Sequence, residues 1–318
     1  MGSSASTTER RLSASQPAVG RPPVGRLAPT PSGELHLGNV CAFAAAWLSV
    51  RSAGGRLLLR IEDVDLQRAR PEVEDRIRRD LDWLGLFWDA EVPRQSARDY
   101  APWLARLDTY RCVCSRKEVV GAAYPGTCRD AGHREGAVRF RLPDGIVAVR
   151  DRKFGARDVD PRVAFGDPIV RRRDGLYTYN LAVVADDVAD GVTEVVRGAD
   201  LLDFTAVQLK LWEAFGASPP TFLHAPLILG PDGKKLSKSH GAVAIAALRD
   251  AGWSPAQVWA VVLPWLGLPG ADDLGAAARV FDPANGPRGP ISVAWEGGGC
   301  PTPEAGVLCL VRGTEESP

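Results

Sequence analysis

The sequence carries no net charge, because 39 lysines and arginines balance 39 aspartates and glutamates over 318 residues. A chain so balanced cannot bind nucleic acid as a histone or a basic tail does, and any basic surface must be local. Long apolar runs are also lacking. The longest, around residues 40–50 and 258–268, reach about a dozen residues, whereas roughly 20 are needed to span a bilayer. No membrane partner is expected. The first 25 residues are mostly Ser, Arg, Ala and Pro, without the apolar stretch of a secretory signal, so 1–23 reads as a disordered leader and the cytoplasm is the expected compartment. There is no internal repeat and no recognisable Ser-His-Asp arrangement.

What remains, 45% hydrophobic and 25% charged, is the composition of a folded globular protein with length enough for two domains. Residues 24–30 read as a strand, 31–37 as a turn-rich loop and 38–53 as an Ala- and Leu-rich helix closed by Gly54-Gly55. A strand at 56–61 follows. Then comes a helix at 71–84, whose Val73, Ile77, Leu81 and Leu84 share one face. This β-α-β-α order implies α/β architecture with a parallel sheet. The helical texture extends over 100–110, and from 111 to 170 cysteines, glycines and short alternating runs mark an inserted subdomain. Strands at 176–184 and 193–197, a helix at 201–215 and a strand at 221–229 resume the core. Helices at 243–252 and 255–266 follow, after which Gly, Pro and Ala dominate from Pro269 and no usable period remains beyond Asn285.

Two loops carry chemistry. The first, Ala28-Pro29-Thr30-Pro31-Ser32-Gly33-Glu34-Leu35-His36-Leu37-Gly38-Asn39, leads from the first strand straight into a helix. A helix N-terminus offers unpaired N–H groups and partial positive charge to a phosphate, a glycine admits a nucleotide against the backbone, and an imidazole can donate to phosphate oxygens. A solvated loop with Asn39 as N-cap is the plain alternative. About 200 residues on, Gly230-Pro231-Asp232-Gly233-Lys234-Lys235-Leu236-Ser237-Lys238-Ser239 is a turn followed by clustered lysines. Nucleotidyl transfer builds negative charge on the departing pyrophosphate, so mobile ammonium groups such as Lys235 and Lys238 accelerate it when they engage most strongly in the transition state.

Together, His36-Leu37-Gly38-Asn39 and Lys235-Leu236-Ser237-Lys238-Ser239 resemble the HIGH and KMSKS motifs of class I aminoacyl-tRNA synthetases. Gly25-Arg26-Leu27-Ala28-Pro29-Thr30-Pro31-Ser32-Gly33, Arg60-Ile61-Glu62-Asp63, Tyr179-Asn180-Leu181-Ala182-Val183-Val184 and Val196-Arg197-Gly198-Ala199-Asp200 are similar to the glutamate-specific branch, over about residues 24–245. The resemblance implies a Rossmann-type α/β catalytic domain in two halves, 24–110 and 171–242, around a zinc-containing, acceptor-binding insert at 111–170. A helical stem-contact remnant at 243–284 and a disordered tail at 285–318 complete the expected organisation.

It further implies that L-glutamate attacks the α-phosphorus of ATP, with Mg²⁺ on the phosphates, without need of a protein nucleophile. Glutamate would be held by Arg26, Leu27, Ala28, Pro29, Thr30, Glu62, Tyr179 and Arg197, with the arginines on carboxylate, Glu62 on the α-ammonium and the Tyr179 hydroxyl adding direction. His36, Gly38, Asn39 and Lys238 would hold ATP, and His36, Gly38, Lys235 and Lys238 would serve catalysis. Asp186 and Asp187 read as structural carboxylates rather than metal ligands.

In the insert, Cys112-Val113-Cys114 and Tyr124-Pro125-Gly126-Thr127-Cys128-Arg129 supply three thiolates, one short of a closed tetrahedral zinc site. Chemistry alone favours His133 as the fourth ligand. The Cys-x-Cys…Tyr-x-x-x-Cys pattern instead resembles the site of truncated glutamyl synthetase-like proteins, which implies Tyr124. Cys41, Cys300 and Cys309 carry no assigned role.

The residues after Ser239 are too few for the helical bundles that read an anticodon. Absence of that module, with the cysteine–tyrosine pattern, makes the chain similar to the truncated family whose members join glutamate to the cyclopentenediol of queuosine in the anticodon of tRNA(Asp). A minimal glutamyl-tRNA synthetase without its anticodon-binding domain is the alternative. A monomer is expected, with ATP, L-glutamate and queuosine-bearing tRNA(Asp) as partners. Arg139, Arg141, Arg150, Arg152 and Arg171 to Arg173 are candidates for phosphate contacts.

Overall fold

A computed structural model describes residues 21–115, 117–119, 121, 123–230, 232–236, 243–271, 273–294 and 309–311. Lys238, Ser237 and Ser239 of the second loop, the leader up to Gly20, Cys300 and most of the tail lie outside the described residues.

The first half is built as the sequence pattern predicts. Strand β1 (Val24–Leu27) feeds helix α1 (Leu37–Ser52), strand β2 (Arg56–Leu59), helix α2 (Pro71–Trp83) and strand β3 (Ala90–Glu91). The three strands pair in parallel in the order β1-β2-β3. Helix α1 is apolar around most of its circumference, with Val40, Cys41, Ala44, Leu48 and Val50 all buried, which suits a helix enclosed by protein. Its Gly-Gly terminus returns the chain to β2, where Gly55 N–H donates to the Val50 carbonyl at 2.8 Å.

After a short helix α3 (Ala101–Leu104), strand β4 (Thr109–Cys112) begins. The helical reading of 100–110 is therefore corrected: Pro102 favours a helix start, but one turn later the chain extends. Strands β5 (Ala137–Phe140), β6 (Val147–Asp151) and β7 (Gly155–Val159), helix α4 (Pro161–Ala164) and strand β8 (Ile169–Arg171) follow. β4, β5 and β8 form their own antiparallel sheet. β6 and β7 do not belong to it. That hairpin pairs through β6 with strand β10 (Thr221–Ala225), which itself runs parallel to β9 (Glu194–Gly198). The inserted stretch is thus interrupted by a hairpin that widens the main sheet.

Between the two halves the polypeptide backbone is continuous in space. Thr193 N–H donates to the Val24 carbonyl at 2.9 Å, and Arg26 Nη1 reaches the Val196 carbonyl at 3.0 Å, so β1 lies against β9. Residues 176–184, expected as a strand, instead enter helix α5 (Tyr179–Ala189). The run Leu181-Ala182-Val183-Val184-Ala185 is apolar without alternation, which suits a helix buried on most sides as well as a strand. Helix α6 (Thr205–Ala214) packs beside α5.

Strand β11 (Ile228–Leu229) precedes the second loop, and helices α7 (Ile245–Asp250), α8 (Pro255–Trp265) and α9 (Leu274–Val280) cover α1 and α2. α9 lies within the stretch 243–284 expected to be helical, although Gly, Pro and Ala dominate there; Asp273 caps it, accepting from Ala276 N–H at 2.7 Å. The reading of 285–318 as a disordered tail is corrected for its described part. Strand β12 (Ile291–Ala294) pairs in parallel with β11 and antiparallel with β13 (Cys309–Val311), and Ile291 and Val293 are buried in the main core. A four-residue strand is too short for a period to reveal it. No helix among the described residues is long and apolar enough to cross a membrane.

One charged cluster ties these pieces together. Arg60, at the end of β2, is completely buried and forms ion pairs with Asp187 at 2.7 Å, Asp190 at 3.2 Å, Glu62 at 3.3 Å and Asp186 at 3.9 Å. Three of those four carboxylates come from α5 and its C-terminus, so the guanidinium fastens the second half to the first. Removing a buried cation leaves its anions uncompensated. Arg60→Met is accordingly expected to lower unfolding stability by about 3–5 kcal/mol, read from the urea midpoint of the purified variant; a loss below about 1 kcal/mol would contradict this role.

Candidate active site

A cleft of about 630 Å³ opens at the carboxyl ends of β1 and β9 and beneath the two loops, where ligands sit in open α/β sheets. Of the residues expected to hold glutamate, Arg26, Ala28, Pro29, Thr30, Glu62, Tyr179 and Arg197 line it. Leu27 does not: its side chain is fully buried in the core, as the alternation of a strand requires once Arg26 faces the cleft. His36, Gly38, Asn39 and Lys235 also line it. Lys238 lies outside the described residues.

The first loop ends on a well-defined helix start. His36 occupies the N-cap position of α1 in extended conformation, and its N–H donates to Asn39 Oδ1 at 3.2 Å. Asn39 is therefore one turn inside the helix and reaches back, rather than being the cap itself. A Cβ at Gly38 would stand 3.1 Å from the His36 ring and crowd the imidazole. No acidic residue sits in the first turn of α1, which keeps its partial positive charge available to a phosphate. The loop is clamped from outside by Ile245 N–H, which donates to the Leu35 carbonyl at 2.9 Å.

The second loop is a tight turn off β11. Leu236 N–H donates to the Ile228 carbonyl at 2.7 Å and Gly230 N–H to the Lys234 carbonyl at 2.8 Å. This brings the half-exposed Lys235 ammonium onto Asp200 at the cleft edge. Gly198 makes room for that carboxylate, since a Cβ at 198 would lie 2.6 Å from Asp200 Oδ1. An exposed pair of this kind contributes at most about 1 kcal/mol, so an incoming polyphosphate can replace Asp200 as the partner of Lys235. Nothing in the sequence pattern had singled out Asp200 for this contact.

Charge inside the cleft is unevenly compensated. Arg26 donates through Nε to Asp187 Oδ1 at 3.1 Å, and Asp187, despite burial, is held below the ordinary aspartate range by Arg26 and Arg60. Asp186 accepts from Gln95 and from the Tyr100 hydroxyl. Both aspartates thus serve the fold, in keeping with their reading as structural carboxylates. Glu62 differs: it is 6% exposed with Arg60 as its ion-pair partner, and burial raises its carboxyl above the ordinary value although Arg60 and Arg26 oppose this. Arg197 is the opposite case. It is 8% exposed, and its described hydrogen-bond acceptors, His224, Gln208, Thr205 and the Leu201 carbonyl, are all neutral or backbone groups. Tyr179 neighbours both charges; burial raises its phenol, with Glu62 adding to the effect and Arg197 opposing it. An underpaired carboxylate and an underpaired guanidinium facing one cleft suit a ligand that carries both an ammonium and a carboxylate.

A second group lies in the insert. The sulfurs of Cys112, Cys114 and Cys128 lie within 4.8 Å of one another, with Cys114 Sγ 3.5 Å from Cys128 Sγ. Tyr124 Oη approaches Cys112 Sγ at 3.5 Å and accepts from Cys128 N–H at 2.8 Å. His133 is exposed and lines a separate groove with Tyr110 and Arg141. Three sulfurs with an oxygen beside them fit a four-coordinate metal ion. Burial works against the Cys112 thiolate, yet the Arg139 and Tyr124 side chains bring its thiol down to about 7, whereas burial and the neighbouring sulfurs push Cys114 up to about 11. Arg139 lies 3.5 Å above the Tyr124 ring and donates to the Asp167 carbonyl, and Arg152 pairs with Glu194. These two candidate phosphate-contacting arginines are consumed within the fold.

Comparison with known proteins agrees with this geometry. The family model for the catalytic domain of class I tRNA synthetases of the E and Q type matches residues 24–121 and 127–271. A glutamyl-Q tRNA(Asp) synthetase of Nitratidesulfovibrio vulgaris is 45% identical over 269 residues, covering 74% of this chain and 83% of that protein. One from Symbiobacterium thermophilum is 43% identical over 315 residues, covering 86% and 96%. Among solved structures, a glutamate tRNA ligase of Elizabethkingia meningosepticum in complex with its amino acid superposes with a TM-score of 0.73 at 26% identity, covering 86% of this chain and 67% of that one. The family model and these relatives, matched along most of a chain with a parallel sheet and two loops over one cleft, establish that it belongs to the class I aminoacyl-tRNA synthetases and, within them, to the glutamyl-Q tRNA(Asp) synthetase family.

Proposed function

We propose that the chain activates L-glutamate with ATP and transfers it to queuosine in the anticodon of tRNA(Asp). The observation that carries the first half is the pair of underpaired charges, Glu62 and Arg197, in one cleft with the start of α1 and Lys235. The second half rests on the similarity to glutamyl-Q tRNA(Asp) synthetases along most of the chain.

In the activation step an oxygen of the α-carboxylate attacks the α-phosphorus of ATP. The bond from that phosphorus to the bridging oxygen breaks, and pyrophosphate leaves with the electrons. The carboxylate not consumed, that of the side chain, needs a permanent cation, which Arg197 supplies with Tyr179 beside it. The α-ammonium takes Glu62. His36 and the first turn of α1 receive phosphate oxygens, while Lys235, released from Asp200, neutralises charge on the departing pyrophosphate together with Lys238. Mg²⁺ brought with ATP would supply further charge neutralisation. Rate enhancement then comes from alignment and charge stabilisation, with no covalent enzyme intermediate. In the transfer step a hydroxyl of the queuosine diol attacks the acyl carbon, the bond from that carbon to the phosphate oxygen breaks, the hydroxyl proton passes to the departing phosphate or to water, and AMP leaves as the ester forms.

We further infer that the insert holds zinc through Cys112, Cys114, Tyr124 and Cys128. Zinc there would be structural, tying β4 to the loop at 124–128, with no open position needed for chemistry.

Two measurements test this reading. RNA labelled with radioactive glutamate by the enzyme, then cut between anticodon and 3′ end, is expected to keep its label on the anticodon fragment; label on the 3′ fragment would contradict it. Glu62 must be ionised to hold an ammonium, and its raised pKa means that ionisation is lost on acidification at a pH above the ordinary glutamate value of 4.5. The rate of glutamate-dependent ATP–pyrophosphate exchange at low glutamate is therefore expected to fall on the acid side before ordinary carboxylates titrate, and Glu62→Gln to abolish both most of the activity and that acid limb. An unaltered limb in the variant would remove Glu62 from the site.

A further inference from the structure

Behind Arg197, on the side away from the cleft, the structure contains two linked buried groups that the mechanism above does not use. His224, at register with Arg197 across the parallel pair β9 and β10, is completely buried. Its Nε2 accepts from Arg197 Nε at 3.1 Å, and its Nδ1 lies 2.8 Å from Asp151 Oδ2. Asp151 closes β6, the first strand of the hairpin within the inserted stretch, and its other oxygen, Oδ1, accepts the backbone N–H groups of Lys153 at 2.9 Å and Phe154 at 2.8 Å.

The proton positions follow from these partners. A guanidinium Nε can only donate, so Nε2 of His224 must present its lone pair, which places the proton on Nδ1, where Asp151 accepts it. Burial, with the charge of Arg197 adding to it, keeps the imidazole below its ordinary pKa against the pull of Asp151, so this neutral tautomer is maintained. The remaining guanidinium nitrogens are fixed by Gln208 Oε1 at 2.5 Å and Thr205 Oγ1 at 2.7 Å. Because His224 is neutral, it orients the guanidinium without cancelling its charge. A carboxylate placed directly on Arg197 would have neutralised the cation that the substrate needs, as Asp187 does for Arg26.

We propose that Asp151 and His224 form a positioning pair that sets the orientation of Arg197, and through it the selectivity of the cleft for an amino acid with an anionic side chain. The inference rests on the reading of Arg197 as the partner of the glutamate side-chain carboxylate. It makes the β6–β7 hairpin a part of amino-acid recognition, although neither Asp151 nor His224 lines the cleft.

Asp151→Asn is the informative variant. The two backbone N–H groups hold the side-chain oxygen, so the new amide nitrogen must face Nδ1 of His224. The proton then moves to Nε2 and confronts Arg197 Nε–H, donor against donor. ATP–pyrophosphate exchange on the full chain is expected to show a rise in the glutamate KM of roughly ten- to a hundredfold, the size of one hydrogen bond to a charged group, with the KM for ATP and kcat at saturating glutamate changed less than about threefold. His224→Leu should behave alike, whereas His224→Gln, whose side-chain oxygen can stand where Nε2 does, should recover most of the glutamate affinity. Arg197→Lys is the control for the underlying reading. If it raises the glutamate KM while Asp151→Asn does not, the positioning pair is refuted and the glutamate site stands; if Arg197→Lys leaves the glutamate KM unchanged, both fail. Equal losses toward ATP and glutamate in Asp151→Asn, or no recovery in His224→Gln while it folds with an unchanged melting temperature, would likewise overturn the proposal.

Discussion

A single guanidinium that solvent does not reach, that of Arg60, holds four carboxylates around the junction of the two half-domains. Burying that much charge is tolerable because most of it is partnered: Gln95, Tyr100, Arg98 and Arg26 satisfy the outer faces of the same aspartates. The arrangement sets the angle at which α5 meets β2, and hence where Tyr179 stands relative to Glu62. Burial opposes the charge on Arg60, but Asp187, Glu62 and Asp186 hold its pKa well above the ordinary arginine value, so the guanidinium keeps its charge.

Beside that densely paired network the charges facing the cleft are less completely matched. Arg26 shares the Asp187 carboxylate, Glu62 shares Arg60, and Arg197 is surrounded by neutral acceptors. On the proposed reading the ligand supplies the opposing charges, and a neutral side chain such as that of glutamine would leave the Arg197 cation buried without its anion. Discrimination against an isosteric amide then follows from desolvation rather than from shape. The two loops above the site are joined to each other through α7, whose first residue bonds to the Leu35 carbonyl, so the residues next to His36 are connected directly to the chain that leaves the lysine loop.

The sequence made the residues of the cleft legible because the loops there are short and each polar residue sits in a recognisable motif. Arg26, Glu62, His36, Gly38 and Lys235 all reach the same cleft, and Tyr124 lies beside the three cysteines, as the family resemblance of their pattern implied, whereas chemistry alone had favoured His133. Legibility failed where burial is general rather than one-sided. An apolar run such as 181–185 has no period by which a buried helix could be told from a buried strand. The β6–β7 hairpin could not be assigned to the main sheet, since strand pairing across 70 residues leaves no local trace. His224 was invisible for a related reason: in the sequence it is a lone histidine in an apolar strand, and its meaning depends on register with Arg197 and on a carboxylate from a distant hairpin.

The central claim is that a synthetase catalytic domain of this kind directs activated glutamate to a modified base. The most direct measurement offers the enzyme, with ATP and labelled glutamate, queuosine-containing tRNA(Asp), queuosine-free tRNA(Asp) and tRNA(Glu) in separate reactions. Label on the queuosine-containing RNA alone is the predicted result; label on tRNA(Glu) would contradict it and mark the chain as a minimal aminoacylating synthetase.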